Sequence, residues 1–397
     1  MSEKIKQQLE KAFDSSGDSS TLVHLSQEEA SAFIDTVVDQ SSILKKVRVV
    51  KMDRAKQDVG KLVSNNRFLH AGGHDVALDD SKKDKFTPDK ITLFTKEVIG
   101  AIEVFDDEIK HNITGQNLEN RVLGLVSKKL ANELEEIGMY SDTAPAVAWG
   151  ASESAFGLTD GWLKGSLGES TFTVTIAAPG VITCTGHGLK AGDRIYVTTT
   201  GALPTGMSAF GVYYVSATGL TANAFQFSAT VGGASITTTG TQSGTHTLSR
   251  GNIVDATNTG FFADAKVSKE KFIRLMKSLN TKFRRDTEIF THNDIVIDFN
   301  QLFDSSFNRN TFIDNVMGTP LNSCPNFRFN STGETEAIQT NPLNFLMGVQ
   351  TEDASMSFEK ERVASKRKTI YHFQMEVDFK VEEIQAVSVM RKLKQLI

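Results

Sequence analysis

Between residues 170 and 249 the chain almost stops using charge. Only Lys190, Asp193 and Arg194 are charged there, against 23% charged residues overall. Threonine and glycine dominate, and the runs FTVTIA, VITCT, RIYVTTT, VYYVSA, AFQFSAT and ASITTT recur between glycine-rich turns. Short runs of β-branched and aromatic residues punctuated by turn residues read as strands. Strands this short and this closely spaced close into a small all-β barrel or sandwich. The flanking sequence is charged and mixed in pattern. The chain is therefore expected to be an α+β host that carries a separate all-β domain, inserted where an exposed loop tolerates it.

The host elements follow from periodicity. Residues 1–25 are polar and contain SSGDSS at 15–20, which reads as a mobile arm. Ser26 with Glu29 forms a capping box, and Ala30, Phe33, Ile34, Val37, Val38 and Ser41 follow at helical spacing. The β-rich runs ILKKVRVVKM and KITLFTKEVIGAIEVF flank the polar stretch LHAGGHDVALDDSKKDKFTPD. This predicts a long two-stranded arm over 47–104. A lone hairpin is marginal in water, so it is expected to lie on another subunit. Asn117 caps a long helix to about Ser141, with Leu118, Val122, Leu125, Val126, Leu130, Leu134 and Ile137 as its apolar stripe. Arg121, Lys128, Lys129, Glu133 and Glu136 take the opposite face.

After residue 250 the mixed pattern resumes. Ser268 caps a helix bearing Phe272, Leu275, Met276, Leu279 and Phe283. TEIFTHNDIVIDF is expected to be a strand, GTPLNSCPNF (318–327) a loop, and a further strand holds Met356 and Phe358. In YHFQMEVDFKV, Tyr371, Phe373, Met375, Val377, Phe379 and Val381 alternate with polar residues, the pattern of a strand buried on one face. Ala386 to Met390 make a last short strand.

Sites for chemistry are scarce. There is no Walker loop, no G-x-S-x-G and no H-E-x-x-H. His70 and His74 read as exposed imidazoles on a flexible tip rather than metal ligands. His292-Asn293-Asp294 reads as a strand-end turn, and Asp106, Asp107 and Glu108 as a solvated acidic turn rather than a cation site. The basic runs Lys266–Arg285 and 359–368 are interspersed with acids and read as solvated or subunit-facing surface. Cys184 and Cys324 lack metal-ligand spacing and read as buried or idle thiols in a reducing compartment. The N-terminus lacks the apolar core of a signal peptide, and no apolar run approaches membrane-spanning length. The asparagine of N-I-T at 112–114 means little without a secretory signal. A net charge of -5 argues against coating nucleic acid, though not against a wall that faces it. No catalytic residue, cofactor or metal is expected.

Several ordered stretches carry a resemblance: TLFTKEVIGAIEVFDDEI from residue 92, LANELEEIGMYSD, GLTDGWLK at 157–164, MGTPLNSCPNF, TNPLNFLMGV, and the closing FQMEVDFKVEEIQAVSVMRKL. Together, over about 45–169 and 250–397, the chain resembles the major capsid proteins of tailed bacteriophages, which share the Hong Kong 97 capsid fold. The resemblance implies an N-terminal arm and helix (1–46), an extended E-loop that overlaps a neighbour (47–104), and a P-domain spine helix region (105–142). It implies A-domain segments (143–169 and 250–340) around an inserted all-β decoration domain (170–249), and P-domain closing strands (341–397). The loop near Gly318–Pro325 would lie at or near the capsomer centre.

The implied function is self-assembly into hexamers and pentamers of an icosahedral shell around double-stranded DNA. The place would be the virion capsid, reached from the host cytoplasm, with no membrane involved. With only about 25 residues before the first helix, scaffolding is expected from a separate protein. A portal and a decoration protein are further expected partners. HGLKAGDRIYV and YYVSATGLTANAFQFSA also resemble a β-module of phage structural proteins and of the first catalytic-cysteine half-domain of ubiquitin-activating enzymes, with no activity carried over. Two alternatives remain open: an encapsulin-type shell around an enzyme, and a surface or tail protein whose β-module binds glycans. An enzyme is the third.

Overall fold

The computed structural model describes residues 20–24, 27–63, 87–105, 118–144, 151–258, 262–304, 315–351 and 356–396. The chain divides into two compact units. One gathers residues 1–34, 49–118 and 347–380, the other 35–48, 119–346 and 381–397.

The first unit is built on the alternating strand. Lys368–Val381 is the longest strand, and Tyr371, Phe373, Met375, Val377 and Phe379 are buried along one face. Val381 is only half-buried. Around it the six-stranded sheet runs in the order Ser20–His24, Ser357–Val363, Lys368–Val381, Phe345–Gln350, Arg48–Met52, and Lys96–Phe105 also pairs with the long strand. That last pairing is antiparallel from Lys368 opposite Phe105 to Val377 opposite Lys96. Phe33, from the helix Gln27–Gln40, meets Phe373 with ring centroids 5.7 Å apart. The buried carboxylate of Asp378 accepts the N–H of Phe94 at 2.8 Å, which satisfies an acid that would otherwise be costly there.

The arm differs from expectation. Among the described residues, Lys56–Val63 and Thr87–Phe94 form the separate two-stranded ribbon, paired from Lys56 opposite Phe94 to Val63 opposite Thr87. Arg48–Met52 and Lys96–Phe105 belong to the six-stranded sheet instead. The sequence runs were equally β-rich, and pairing partner rather than propensity separates them. The polar tip and its histidines lie outside the described residues. From 56 to 61 the ribbon alternates between exposed and half-buried, with no residue buried.

The second unit holds the long helix, a mixed sheet and a barrel. The sheet order is Asn252–Asp255, Ser388–Lys394, Glu334–Thr340, Glu288–Thr291, Thr319–Ser323, Asn315–Val316. Helix Lys269–Ser278, capped by Ser268 as expected, contributes Phe272 and Leu275 to the core with Ile289, Phe299, Leu321 and Met390. Two expectations fail here. TEIFTHNDIVIDF is a strand only over Glu288–Thr291, and Asn293–Asp304 is a helix. Ile295, Val296 and Phe299 are buried while Ile297 is exposed, which is helical spacing, and the β-branched content hid it. His292-Asn293-Asp294 is thus a helix start: His292 Nδ1 accepts the Asp294 N–H at 3.0 Å. GTPLNSCPNF is not all loop, because Thr319–Ser323 lies parallel to Glu288–Thr291 with Leu321 opposite Ile289.

The charge-poor region closes as a barrel in the order Ala224–Ser228, Val181–Thr183, Glu169–Val174, His246–Ser249, Arg194–Thr199, Gly211–Val215. Its core includes Phe172, Ile182, Ile195, Val197, Phe225, Phe227 and Leu248. ASITTT makes only isolated bridges, such as Ser235 to Ser228 and Thr239 to Thr205, not a strand. The first and last barrel strands pair with each other, Glu169 opposite Ser249. The chain therefore enters and leaves side by side, between Gly168 and Gly251. At Gly251 a Cβ would stand 2.1 Å from the Ser166 carbonyl oxygen, so the crossing requires glycine.

Candidate assembly surfaces and a basic aromatic cleft

The helix Leu118–Tyr140 buries Val126, Ala131, Leu134, Ile137 and Met139. Leu130 is half-buried, and Leu125 is 66% exposed, so the expected burial of Leu125 does not hold in the subunit. Glu135, which the amphipathic pattern did not single out, is buried instead. Its carboxylate accepts the Ser42 N–H (3.2 Å), the Ser42 hydroxyl (2.9 Å), the Ile43 N–H (3.2 Å) and the Ser41 hydroxyl. These donors sit just past the end of helix Gln27–Gln40, where chain turns and N–H groups need acceptors. Beside them Lys46 pairs with Glu288 at 2.6 Å.

The GLTDGWLK stretch has a structural meaning too. Trp162 is fully buried, stacks on Phe345 at 5.1 Å and donates Nε1–H to the Leu346 carbonyl at 3.0 Å. Lys164 bridges Asp142 and Asp160, and Gly161 donates its N–H to the Ser141 carbonyl at 2.7 Å. These residues fasten the segment after the long helix to that helix's last turn.

Surfaces left apolar are candidates for contact between copies. Ile99 on strand Lys96–Phe105 is 75% exposed and borders a groove of about 440 Å³ with Ala101, His372 and Gln374. In the second unit Leu125 and Met317 are exposed, the latter at 72% with φ 50 in the turn before Thr319. Single exposed apolar residues are ordinary, but large ones on strand faces and strained turns are what an interface covers.

Of the residues weighed for chemistry, His70, His74, Asp106, Asp107, Glu108 and 112–114 lie outside the described residues. The basic runs are largely committed internally. Lys271 is buried against the Phe262 ring at 4.8 Å and near Asp264 at 3.5 Å, with its pKa lowered by burial. Arg284 donates back to the Leu279 and Lys277 carbonyls, and Lys368 pairs with Glu103. Cys184 and Cys324 are free and buried, and burial raises both thiols. Among the described residues no group of three or more His, Cys, Asp or Glu could hold a metal ion, and no helix is long and apolar enough to cross a membrane.

One feature escaped the sequence reading. Between the barrel and the mixed sheet, within the second unit, lies a cleft of about 580 Å³. Arg194, Tyr196, Phe210 and Tyr214 line the barrel wall, and Arg274 and Lys277 of helix Lys269–Ser278 the other. No spacing motif marks these residues, since they come from segments brought together only by the fold.

No protein-family model matches the chain. A stretch of 116 residues, 29% of the chain, is 32% identical to the putative prophage capsid protein YqbE of Bacillus subtilis strain 168, and spans 37% of that relative's length. A chain of the satellite phage P4 procapsid, which includes the size determination (Sid) protein, matches 92% of this chain over 99% of its own. Its TM-score is 0.53 and its identity 10%. A chain from the capsid of a native GTA particle covers 89% of this chain and 90% of its own, with a TM-score of 0.49 and 10% identity. The chain shares the α+β fold of the P4 procapsid chain.

Proposed function

We propose that this chain is the major capsid protein of a tailed bacteriophage or prophage, and that copies of it assemble into hexamers and pentamers of a closed icosahedral shell around double-stranded DNA. The observation that carries the reading is the fold shared with a procapsid chain along nearly the whole length, joined to sequence identity with a putative prophage capsid protein. The role is structural, with no catalytic residue, cofactor or metal assigned.

The physical features fit assembly. In the ribbon, residues 56–61 bury no side chain, and such a strand pair needs a surface to lie on, as an E-loop overlapping a neighbour would provide. Ile99, Leu125 and Met317 offer apolar area that a repeated contact would cover. Closed symmetry multiplies each weak contact over many copies. In this reading the barrel is a decoration on the outer surface, its likeness to a ubiquitin-activating-enzyme module carries no activity, and scaffold, portal and decoration proteins are separate partners. The virion capsid is its place, reached from the host cytoplasm.

The test is imaging. The full chain is produced, purified and viewed by negative-stain electron microscopy, alone and with any scaffolding protein found to co-purify. Closed shells with five-fold and six-fold capsomers are expected. Shells that retain a co-purified enzyme in place of DNA would move the reading to an encapsulin. Only small soluble oligomers across a range of assembly conditions would overturn it.

A further inference from the structure

An assembly role leaves the cleft beneath the barrel unused. Three cations line it, Arg194, Arg274 and Lys277, and one carboxylate, Asp255. Asp255 is already held by Lys392 at 3.0 Å and accepts the Thr257 hydroxyl. Among the described residues no carboxylate lies within ion-pair distance of Arg194. One terminal nitrogen of its guanidinium donates to the Ser278 carbonyl and to Asn252 Oδ1. Its Nε and other terminal nitrogen donate to no described residue. Burial above all pushes the Arg194 pKa down, with Tyr214 opposing the shift and Arg274 adding to it. A partly buried guanidinium beside a second cation, with donors left over, favours an anion in reach of it.

The aromatic side of the cleft points the same way. Tyr196 is 5% exposed and its hydroxyl has no hydrogen-bond partner among the described residues, although buried hydroxyls nearly always find one. Burial, with Asp255 nearby, raises its pKa above the tyrosine range. Phe210 holds φ 62, a backbone conformation rare for a residue with a bulky side chain, and remains partly exposed at the rim. Strained residues of this kind gather at ligand clamps.

We infer that this cleft is a binding site for a compact organic anion, with a phosphate or carboxylate head set against Arg194, Arg274 and Lys277 and an aromatic or apolar body packed on Phe210 and Tyr214. Guanidinium forks suit such heads, and the aromatic rings supply apolar area. The volume suits a small molecule rather than a polymer. The inference stands apart from the shell reading, because every residue it uses lies in one unit of one subunit.

The full-length chain is titrated calorimetrically with phenyl phosphate, phenylacetate and inorganic phosphate, alongside Arg194→Gln and Lys277→Gln, with circular dichroism to check folding. Saturable binding of either aromatic anion, one per subunit, is expected, and their difference identifies the preferred head. Inorganic phosphate should bind about tenfold more weakly, for want of a body to bury. Arg194→Gln should weaken the aromatic anion about tenfold, and the exposed Lys277→Gln about threefold. Should Arg194→Gln fail to fold, Lys277→Gln and the salt dependence of binding carry the decision. Absence of binding at millimolar concentration, inorganic phosphate binding as tightly as the aromatic anions, or affinity indifferent to the folded variants would overturn the assignment.

Discussion

Replacing Glu135 by alanine tests how the N-terminal helix is fastened to the long helix. The carboxylate accepts from two backbone N–H groups, Ser42 and Ile43, and from the Ser41 and Ser42 hydroxyls. A hydrogen bond to a charged group contributes ~1.5–3 kcal/mol, so four counted naively would exceed 6 kcal/mol. That sum is too large for three reasons. The Ile43 N–H keeps a second acceptor in the Ser41 hydroxyl at 3.2 Å. Ser42 is half-buried and water can reach it. Alanine also recovers the desolvation cost of the carboxylate. What remains is the buried Ser41 hydroxyl stranded without an acceptor and a small cavity, together about 3 kcal/mol. Glu135→Gln keeps one acceptor but turns an NH2 toward the donors, and should cost about half as much. Because the chain has two units, global denaturation is a poor monitor. Hydrogen exchange of the Ser42, Ile43 and Leu44 amides in free subunits is the assay, and protection should fall by about 100-fold in the alanine variant. A change below about threefold would refute the reasoning and mean that helix packing alone holds the turn.

Four further outcomes follow from the packing. Gly161→Ala would place a Cβ 2.8 Å from the Gly138 carbonyl oxygen and 2.9 Å from that of Met139, and should lower stability by ~2 kcal/mol or more, read as a fall in thermal midpoint. Leu130→Ala should cost ~1–2 kcal/mol in the free subunit and Leu125→Ala under ~0.5; equal losses would mean that both are equally packed. A chain joining Gly168 directly to Gly251 should fold and assemble, judged by sedimentation and imaging; aggregation of the remainder would show that the barrel is needed for folding. The Glu336 carboxyl is raised from 4.5 to about 7, chiefly by burial, so the folded state binds its proton more tightly than the unfolded state. Stability is then favoured at low pH and declines as pH rises from about 4.5 through about 7; Glu336→Gln should flatten that decline in melting curves taken across the range.

What the sequence revealed depended on whether a signal was local. The alternation from Tyr371 to Phe379 and the capping by Ser268 are contained within a few residues, and both elements stand where the pattern put them. The charge-poor stretch announced β structure, although ASITTT lacks a ladder partner. Asn293–Asp304 misled because Ile295, Val296 and Ile297 look like a strand core, and only the burial of Phe299 one turn on breaks the tie. Thr319–Ser323 was hidden by its proline and glycine neighbours, since a parallel partner distant in sequence decides it. Glu135 and the cleft could not be seen at all. A buried acid at helical position 135 looks like any surface glutamate until Ser41 and Ser42 arrive, and Arg194 meets Arg274 only through the tertiary fold.

Between residues 170 and 249 the chain has only three charged side chains. Asp193 accepts the Lys190 N–H at 2.8 Å, Arg194 gives one guanidinium nitrogen to Ser278 and Asn252, and only Lys190 of the three is exposed; Glu169, at the start of the first barrel strand, is exposed and paired with Arg391. Any contact made by the barrel's exposed surface rests mainly on hydroxyls, backbone and apolar patches. Ionic strength acts by screening charge, so it has almost no purchase there. The ribbon is different: its Asp58–Lys90 pair at 2.7 Å is open to solvent and weakens as salt rises. A particle built from this chain would thus carry barrel surfaces whose contacts change little with salt, while the ion pair within each ribbon loosens as salt rises.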